Sequence, residues 1–141
     1  MIPPCNILSD IGTDHALLPA YALINGKCKK AIASDVKKGP LKSAENTVRQ
    51  FNLEEKMDLR LGDGLEPISE EEADTIVIAG MGGQLISEIL QKSINKAKKA
   101  NSIIIQPMTR QKVLRVYLWQ HGFEFLDEAL AKEEDKLYQV L

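Results

Sequence analysis

The sequence contains little cysteine and no long hydrophobic run. Its 141 residues include only Cys5 and Cys28, which form neither a CxxC pair nor a Cys/His group with zinc-ligand spacing. We therefore expect no disulfide framework and no structural metal. The first residues lack the apolar core of a secretory signal, and no apolar stretch is long enough to span a bilayer. These absences predict a cytoplasmic protein without a metal site or a membrane partner.

A large excess of one charge is also missing. The formal net charge is −2 at pH 7, which gives no overall attraction to nucleic acid. Basic residues do cluster locally, in the segments 27–30, 37–38, 96–99 and 110–115. Each cluster alone is more simply explained as solvated surface. Only several clusters on one rim of the fold would indicate a surface that binds a polyanion.

The composition that is present is that of one globular domain. Hydrophobic residues make up 44% of the chain and charged residues 27%. Short β-branched runs alternate with segments of helical period, which predicts a parallel sheet with helices on both faces. The seven expected strands lie at residues 6–11, 31–35, 57–61, 75–79, 102–106, 123–130 and 136–141, the last two as a hairpin. The strand at 75–79 is the most hydrophobic and is expected at the centre.

The connections between these strands are short. Pro19 favours the first turn of a helix, so the first helix is expected to begin near it and residues 12–18 to form a loop. The segment 65–72 is too short and too acidic for a full crossover helix and predicts at most a turn or two. Strand-like residues lie almost at both ends of the sequence. Residues 1–141 are therefore interpreted as one domain trimmed at both ends.

The most informative motif is the segment 10–15, which contains Asp10, Gly12, Asp14 and His15. Ligands of parallel α/β sheets bind outside the carboxyl ends of the strands, so we expect these residues to line a pocket, with His15 at its floor. Asp14 takes the place of the second glycine of the dinucleotide pattern G-x-G-x-x-G. A carboxylate there repels a pyrophosphate and favours a ligand with an ammonium or sulfonium charge. A capped strand-to-helix turn and a structural histidine are the alternative interpretation.

Acidic residues also follow the second and third predicted strands. Asp35 lies about two dozen residues after Gly12, the usual distance for a carboxylate that binds ribose. Asp63 stands within a Gly-Asp-Gly sequence and is suited to accept the adenine amine of S-adenosylmethionine. Gly-Asp-Gly alone is more often a tight turn. As the third acidic strand end in a series, it favours a nucleoside cofactor.

Two further segments are expected at the same edge of the sheet. The glycine-rich segment 80–83 places backbone with few side chains before a helix, where an anion or a flat base can approach. It lacks the Lys-Ser or Lys-Thr of a nucleotide-phosphate loop. Gln106 precedes Pro107 at the end of the fifth strand, where its amide can read a base edge, although a simple strand stop explains the pair equally well. His15 and Gln106 are the candidates for catalytic contact.

The segments 10–19, 33–36, 39–41, 62–65, 79–83 and 106–107 closely resemble the bacterial TrmK family. Its members are class I S-adenosylmethionine-dependent methyltransferases that act on N1 of adenine 22 in tRNA. The resemblance covers nearly the whole chain. It implies a Rossmann-like α/β fold with a seven-stranded, mostly parallel sheet, an antiparallel final strand and helices on both faces. It also implies a C-terminal helical domain for tRNA binding that residues 1–141 do not include.

The resemblance further implies which residues bind the cofactor. They are Asp10, Gly12, Asp14, His15, Ser34, Asp35, Val36, Gly62, Asp63, Gly64, Gly80, Met81 and Gly82. S-adenosylhomocysteine is then the product, tRNA the partner and a monomer the expected state. Two positions differ from the family pattern near the base pocket, because Leu17 stands where a tyrosine is expected and Met108 where an asparagine is expected.

Three functions are compatible with the sequence. The first is methyl transfer to N1 of adenine 22 in tRNA, in a base that is unpaired or flipped out of its stack. The second is methyl transfer by the same fold to a small molecule or a protein. The third is cofactor binding without turnover by a fragment or a degenerate domain. A basic rim beside the site favours the first over the second, and a methylation assay separates the third.

Overall fold

The computed structural model describes residues 1–141, which form seven β-strands, five α-helices and one 3₁₀ turn. The strands are β1 (Cys5–Ile11), β2 (Cys28–Asp35), β3 (Met57–Leu61), β4 (Thr75–Gly82), β5 (Ser102–Thr109), β6 (Ala129–Glu133) and β7 (Lys136–Val140). The helices are α1 (Leu17–Ile24), α2 (Lys38–Gln50), α3 (Gly83–Lys92), α4 (Ile94–Lys99) and α5 (Gln111–Gln120), and the 3₁₀ turn is Glu70–Glu72. The alternation of strands and helices that the sequence predicts is confirmed.

Five strands form one parallel sheet in the order β3-β2-β1-β4-β5. The strand at the centre is β1, so the expectation that β4 lies there is wrong, although β4 is β1's neighbour and is equally enclosed. Ile11 of β1 is in register with Ser34 of β2 on one side and with Ile78 of β4 on the other. The carboxyl ends of these strands therefore meet at one edge of the sheet, which is called the carboxyl edge below.

The expected seven-stranded sheet with an antiparallel final strand is not found. β6 and β7 pair antiparallel with each other in a separate two-stranded sheet, and β6 begins only at Ala129. The hairpin is joined to β5 by two 2.9 Å hydrogen bonds exchanged between the backbones of Ile105 and Leu141. Hydrogen-bonded pairs in an antiparallel ladder recur every second residue, so the next pair would involve Pro107. Proline has no N–H to donate, which weakens the extension of the ladder toward the carboxyl edge.

Apolar side chains pack on both faces of the parallel sheet. Ile76 and Ile78 of β4 belong to a buried cluster with residues of α3, α4 and α5, and Val77 between them belongs to a second cluster with residues of α1 and α2. This alternation is the period of two that a strand imposes on its side chains. The prediction of helices on both faces is confirmed. None of the helices combines the length and the apolar character that a bilayer crossing needs.

Several element boundaries differ from those expected. α1 begins at Leu17, two residues before Pro19, which still lies in its first turn. β4 and β5 continue for three residues beyond the predicted ends, to Gly82 and Thr109. α4 was not predicted, because its sequence is rich in lysine and only Ala97 is buried. The segment 65–72 contains a single 3₁₀ turn, as predicted.

Candidate functional site

The carboxyl edge brings together the acidic and glycine-rich turns of the sequence. Asp10 lies in β1 just before this edge, Asp35 is the last residue of β2, and Asp63 follows the end of β3 by two residues. Segment 80–83 closes β4 and begins α3, and Gln106 lies near the end of β5. Because the strands are parallel and adjacent, their turns form one continuous rim. The predicted grouping of these residues at one edge is confirmed by the topology.

Asp10 is a buried carboxyl without a cationic partner. It is only 8% exposed, and none of the ion pairs in the structure involves it. Burial raises the pKa of Asp10 to about 6, a hydrogen bond from Thr13 opposes this rise, and the nearby charge of Asp35 adds to it. A buried carboxylate is costly unless it is paired. The carboxyl end of β1 therefore carries a buried negative charge, on Asp10, that no cation of the chain neutralises.

The turn after β1 is held in shape by backbone contacts to β2. The amides of Gly12 and Thr13 both donate to the carbonyl of Ser34, at 2.8 and 2.9 Å. Gly12 has a φ of +75°, a conformation that glycine adopts without strain. The methyl end of the Met81 side chain lies so close to Gly12 that a Cβ atom there would collide with it. The positive φ thus favours glycine at this position, whereas the methyl group of Met81, the end of a flexible side chain, can shift.

The end of β2 presents one carboxylate and one unpaired hydroxyl. Asp35 is half-buried, and its Oδ1 accepts the amide of Lys37 at 2.8 Å, which fixes the carboxylate at the rim. Ser34 is buried, and its Oγ has no hydrogen-bond partner. Val36 is 60% exposed beside them. The end of β2 therefore offers a hydroxyl, a carboxylate and an apolar side chain to a ligand.

His15 does not lie at a pocket floor, contrary to the expectation from the sequence. Its side chain is 54% exposed and lies 3.5 Å from Oδ2 of Asp14, which is itself 84% exposed. The cause is the tight turn: Ala16 takes the buried position at the start of α1 with a φ of +54°, and this turns residues 14 and 15 outward. Asp14 and His15 thus form a solvent-facing pair at the entrance of the turn.

Asp63 has a cationic partner, unlike Asp10. Its Oδ2 accepts a hydrogen bond from Nζ of Lys92 at 2.8 Å, and the carboxylate is more than half exposed. Gly62 and Gly64 on either side are both closely covered, Gly62 by the ring of Pro67 and Gly64 by the side chain of Ile89. Gly64 also has a φ of +53°. Both glycines are therefore explained by the packing of the turn.

The ends of β4 and β5 are linked through Gln106. Its Oε1 accepts the amide of Gly80 at 2.9 Å, and its Nε2 lies 3.5 Å from the sulfur of Met108. Gly80 has a φ of +73° and no atoms within 4 Å of the position a Cβ would take, so space is open above it. The register between β4 and β5 shifts on both sides of Met81. This irregularity accompanies the Met81 side chain's position over the turn after β1.

Sequence reasoning missed a shallow groove beside Gln106. The groove has a volume of about 370 Å³ and lies between the end of β5 and the hairpin, where Met108 and Tyr138 help to line it. Tyr138 could not be assigned to the site from the sequence, because the hairpin's position against β5 was unknown. A second cavity, of about 610 Å³, lies elsewhere, between the opposite half of β5 and the segment 122–127. It is mostly apolar and contains none of the residues of the carboxyl edge.

Sequence reasoning also missed Thr13 and Lys92. Thr13 hydrogen-bonds to Asp10 and accepts the amide of Ala16 at 3.1 Å, so it braces the turn after β1 from inside. Its position between two motif residues was the available signal. Lys92 lies 29 residues after its partner Asp63, and no local pattern in the sequence indicates their contact. No group of three or more His, Cys, Asp or Glu side chains is arranged to hold a metal ion.

The basic clusters separate into different parts of the fold. Lys37 and Lys38 follow β2, and Arg110 and Lys112 follow β5, so these four exposed residues lie at the carboxyl edge. Lys29 and Lys30 begin β2 and therefore lie at the opposite edge. In the segment 96–99, two of the three lysines contact the loop between β3 and β4. Half of the clusters thus share one rim with the acidic turns.

The strand order and the acidic carboxyl edge define a Rossmann-like α/β domain. The family described as "Methyltransferase domain" matches residues 1–141, and the chain belongs to this family. The chain is 41% identical over 140 residues to the tRNA (adenine(22)-N(1))-methyltransferase of Bacillus subtilis, covering 99% of this chain and 59% of that protein. The resemblance to the TrmK family is confirmed by this similarity.

Solved structures agree with this assignment. The Streptococcus pneumoniae protein Sp1610 in complex with S-adenosyl-L-methionine has a TM-score of 0.94 and 38% identity, over 99% of this chain and 66% of that one. M. capricolum TrmK in complex with S-adenosyl-homocysteine has a TM-score of 0.85 and 36% identity, over 96% of this chain and 60% of that one. The chain spans about three-fifths of the length of the curated relatives that it matches, 59% and 60%.

Proposed function

We propose that this chain is the S-adenosylmethionine-binding domain of a tRNA methyltransferase that modifies N1 of adenine 22. The observation that carries the proposal is Asp10, a buried carboxylate with no cation beside it at the carboxyl end of the central strand. A ligand with a positive charge removes the electrostatic cost of that burial. The similarity to a tRNA (adenine(22)-N(1))-methyltransferase and to complexes with S-adenosylmethionine and its product supports this choice of ligand and substrate.

The residues at successive strand ends of the rim suit successive parts of this cofactor. We assign the ammonium of its methionine end to Asp10, with Gly12, Asp14 and His15 around it. The remaining contacts follow strand by strand: Ser34, Asp35 and Val36 for the ribose, Gly62, Asp63 and Gly64 for the adenine, and Gly80, Met81 and Gly82 for the centre that carries the methyl group. When bound, the cofactor supplies an electrophilic methyl group on a sulfonium. The unpaired Ser34 hydroxyl and the open space above Gly80 are consistent with a ligand there.

The protein's contribution to the reaction is positioning. Adenine N1 carries a lone pair at neutral pH, so no residue of this chain needs to act as a strong base. Gln106 is held by its bond to the Gly80 amide, and its NH₂ group lies 3.3 Å from the Pro107 carbonyl and 3.5 Å from the sulfur of Met108, two long contacts that an incoming base can replace. The groove beside it, with Met108 and Tyr138, can receive a base that has left its stack. Orientation and exclusion of water then supply most of the acceleration.

The tRNA is proposed to approach the carboxyl edge through the basic residues that share it. Lys37, Lys38, Arg110 and Lys112 flank the acidic turns and form no ion pairs. Each phosphate contact contributes about −0.9 to the slope of log affinity against log salt for duplex nucleic acid. Four residues give a modest electrostatic contribution, so tRNA binding by this chain alone is expected to be weak. A tRNA substrate also implies a cytoplasmic location.

Calorimetry and a methylation assay test the proposal. Titration with S-adenosylhomocysteine should show binding by the wild-type chain and a loss of at least about tenfold in Asp35→Ala, since charge-assisted hydrogen bonds contribute about 1.5–3 kcal/mol each. Transfer of labelled methyl groups should be detected on unmodified tRNA and not on the same tRNA with guanine at position 22. Cofactor binding without any methyl transfer, in this chain and in a longer protein that contains it, would reduce the function to cofactor binding.

The basic rim has its own matched control. Replacing Lys37, Lys38 and Arg110 by glutamine should weaken tRNA binding and reduce the steepness of its salt dependence. Replacing Lys27, Lys29 and Lys30 by glutamine removes the same number of charges at the opposite edge and should leave both nearly unchanged. Equal losses from the two sets would show that net charge, rather than this rim, governs tRNA binding.

A further inference from the structure

The loop between β3 and β4, residues 62–74, is attached to α3 and α4 by three lysines. Lys92 is the last residue of α3, and Lys96 and Lys99 belong to α4. All three ammonium groups reach this loop, and we call them the lysine ladder. The loop carries Asp63, and it crosses from one strand to the next with no regular structure other than one 3₁₀ turn. Its conformation therefore depends on turn hydrogen bonds, on the burial of Leu65 and Ile68 in the core and on polar side-chain contacts.

Two members of the lysine ladder, Lys96 and Lys99, contact the loop at residues other than Asp63. Nζ of Lys96 donates to the backbone carbonyl of Leu65 at 2.7 Å, and Lys99 forms an ion pair with Glu70. The inner side of the loop is held by Arg60, which donates to Glu72 through both guanidinium nitrogens at 2.6 and 2.8 Å. These contacts fix the path of the backbone. They do not touch the Asp63 carboxylate.

Lys92 is the member that contacts the carboxylate itself. Its Nζ lies 2.8 Å from Oδ2 of Asp63 and 2.8 Å from Oε1 of Glu66. One ammonium thus bridges two carboxylates that would otherwise repel each other. It engages only one oxygen of Asp63, and Oδ1 forms no hydrogen bond in the structure. The carboxylate is held by one oxygen with the other available.

We propose that Lys92 is a positioning residue that fixes Asp63 so that its free oxygen receives the adenine amine of the cofactor. The inference rests on the proposed function, because it takes Asp63 as the acceptor of that amine. Lys92, Asp63 and Glu66 are each more than half exposed, and exposed ion pairs add little to stability. We therefore attribute to the Lys92–Asp63 pair an effect on the orientation of Asp63 rather than on the stability of the fold. A second carboxylate, Glu66, keeps the ammonium in place while the amine binds.

Binding of two ligands that differ only at the amine tests this role. One is S-adenosylhomocysteine, and the other is its analogue in which the adenine amine is replaced by a hydrogen atom. The wild-type chain should prefer the amine. In Lys92→Met that preference should fall about threefold to fivefold, the range that exposed charge pairs allow, while affinity for the analogue changes little. Lys98→Met is the matched control, because Lys98 is an exposed neighbour with no ion pair, and it should leave the preference unchanged.

The outcomes separate the inference from the function on which it rests. An unchanged preference in Lys92→Met, with both ligands bound, would overturn the positioning role. A rise in affinity for S-adenosylhomocysteine would also overturn it, since Lys92 would then compete with the amine for Asp63. Failure of the wild-type chain to bind S-adenosylhomocysteine would instead overturn the proposed function. A double-mutant cycle should show that Lys92→Met has no further effect on the preference once Asp63→Asn is present.

Discussion

Two acidic turns of the carboxyl edge are alike in sequence and opposite in electrostatics. Asp10 lies at the end of β1, two residues before the glycine of the turn that follows, and the turn after β3 contains Asp63 between two glycines. Asp10 is 8% exposed and has no cationic partner, whereas Asp63 is more than half exposed and is paired with Lys92. The carboxylate of Asp10 thus has no cationic partner, whereas the carboxylate of Asp63 is already paired with Lys92.

This difference indicates what each turn can do for a ligand. A buried, unpaired carboxylate is destabilising until a cation arrives, so the turn after β1 can bind the charged end of a ligand strongly. An exposed carboxylate that is already neutralised cannot gain much from a second cation. It can still orient a neutral hydrogen-bond donor such as an amine. The two turns therefore suit the two ends of one cofactor, the ammonium and the adenine.

The largest effect is expected from Asp10→Asn, which removes the unpaired charge. Loss of a buried charge pair with the ligand should weaken S-adenosylhomocysteine binding by about a hundredfold, equivalent to about 2.7 kcal/mol. Calorimetry at pH 7 measures this loss. Asp135→Asn is the control, because Asp135 is exposed in the turn between β6 and β7, forms no ion pair and should leave the affinity nearly unchanged. Equal losses in both variants would contradict the comparison.

The same variant should be more stable than the wild type without ligand. The pKa of Asp10 is raised to about 6 in the folded chain, so the group favours folding when protonated, and this benefit is lost as the pH rises from about 4 through about 6. Asp10→Asn should therefore gain about 2 kcal/mol at pH 7 and little at pH 4. Denaturant unfolding at the two pH values checks this. A variant that is less stable at pH 7 would show that Asp10 is already stabilised in the free protein.

A smaller effect is expected from Gly12→Ala, which tests whether the first turn is shaped by the protein or by the ligand. A Cβ at Gly12 would strain a φ of +75° and displace Met81, with an expected loss of about 2 kcal/mol of stability. The double variant Gly12→Ala with Met81→Ala should recover none of this loss, because the methyl end of Met81 can already move aside in the single variant and the backbone strain remains. Thermal unfolding measures both. Recovery in the double variant would instead assign part of the cost to the collision with Met81.

The smallest effect is expected from Glu72→Gln, which removes an ion pair in the loop between β3 and β4. The Arg60 guanidinium holds the pKa of Glu72 at about 2, so this ion pair stabilises the fold above the ordinary glutamate pKa of 4.5 and is lost as the pH falls toward 2. Glu72→Gln should cost about 1–2 kcal/mol at pH 7 and almost nothing at pH 2. Urea unfolding over this range gives the difference. Glu71→Gln, an exposed neighbour, should show no such dependence.

The sequence predicted the strands and the edge at which the acidic residues meet, because both follow from local periodicity and the geometry of parallel sheets. It could not predict that Asp10 is buried while Asp14 and His15 face solvent, since this depends on the left-handed conformation of Ala16. The contact of Lys92 with Asp63 depends on how α3 packs, which no local pattern encodes. The expected seven-stranded sheet is not formed, because β6 and β7 pair with each other and hydrogen-bond to β5 through Ile105 and Leu141. The missing N–H of Pro107 disfavours a longer ladder.

The loop between β3 and β4 has a consequence for local opening. A crossover helix would protect its amides by a continuous set of its own hydrogen bonds, whereas residues 62–74 have only scattered turn hydrogen bonds and are held by the buried side chains of Leu65 and Ile68 and by Arg60, Lys96 and Lys99. Its amides are therefore expected to exchange with deuterium earlier than those of β4, which follows it directly. Ligand bound at Asp63 adds one more contact to the loop and should slow that exchange. Hydrogen exchange of this single segment would then report occupancy of the adenine end without any labelled ligand.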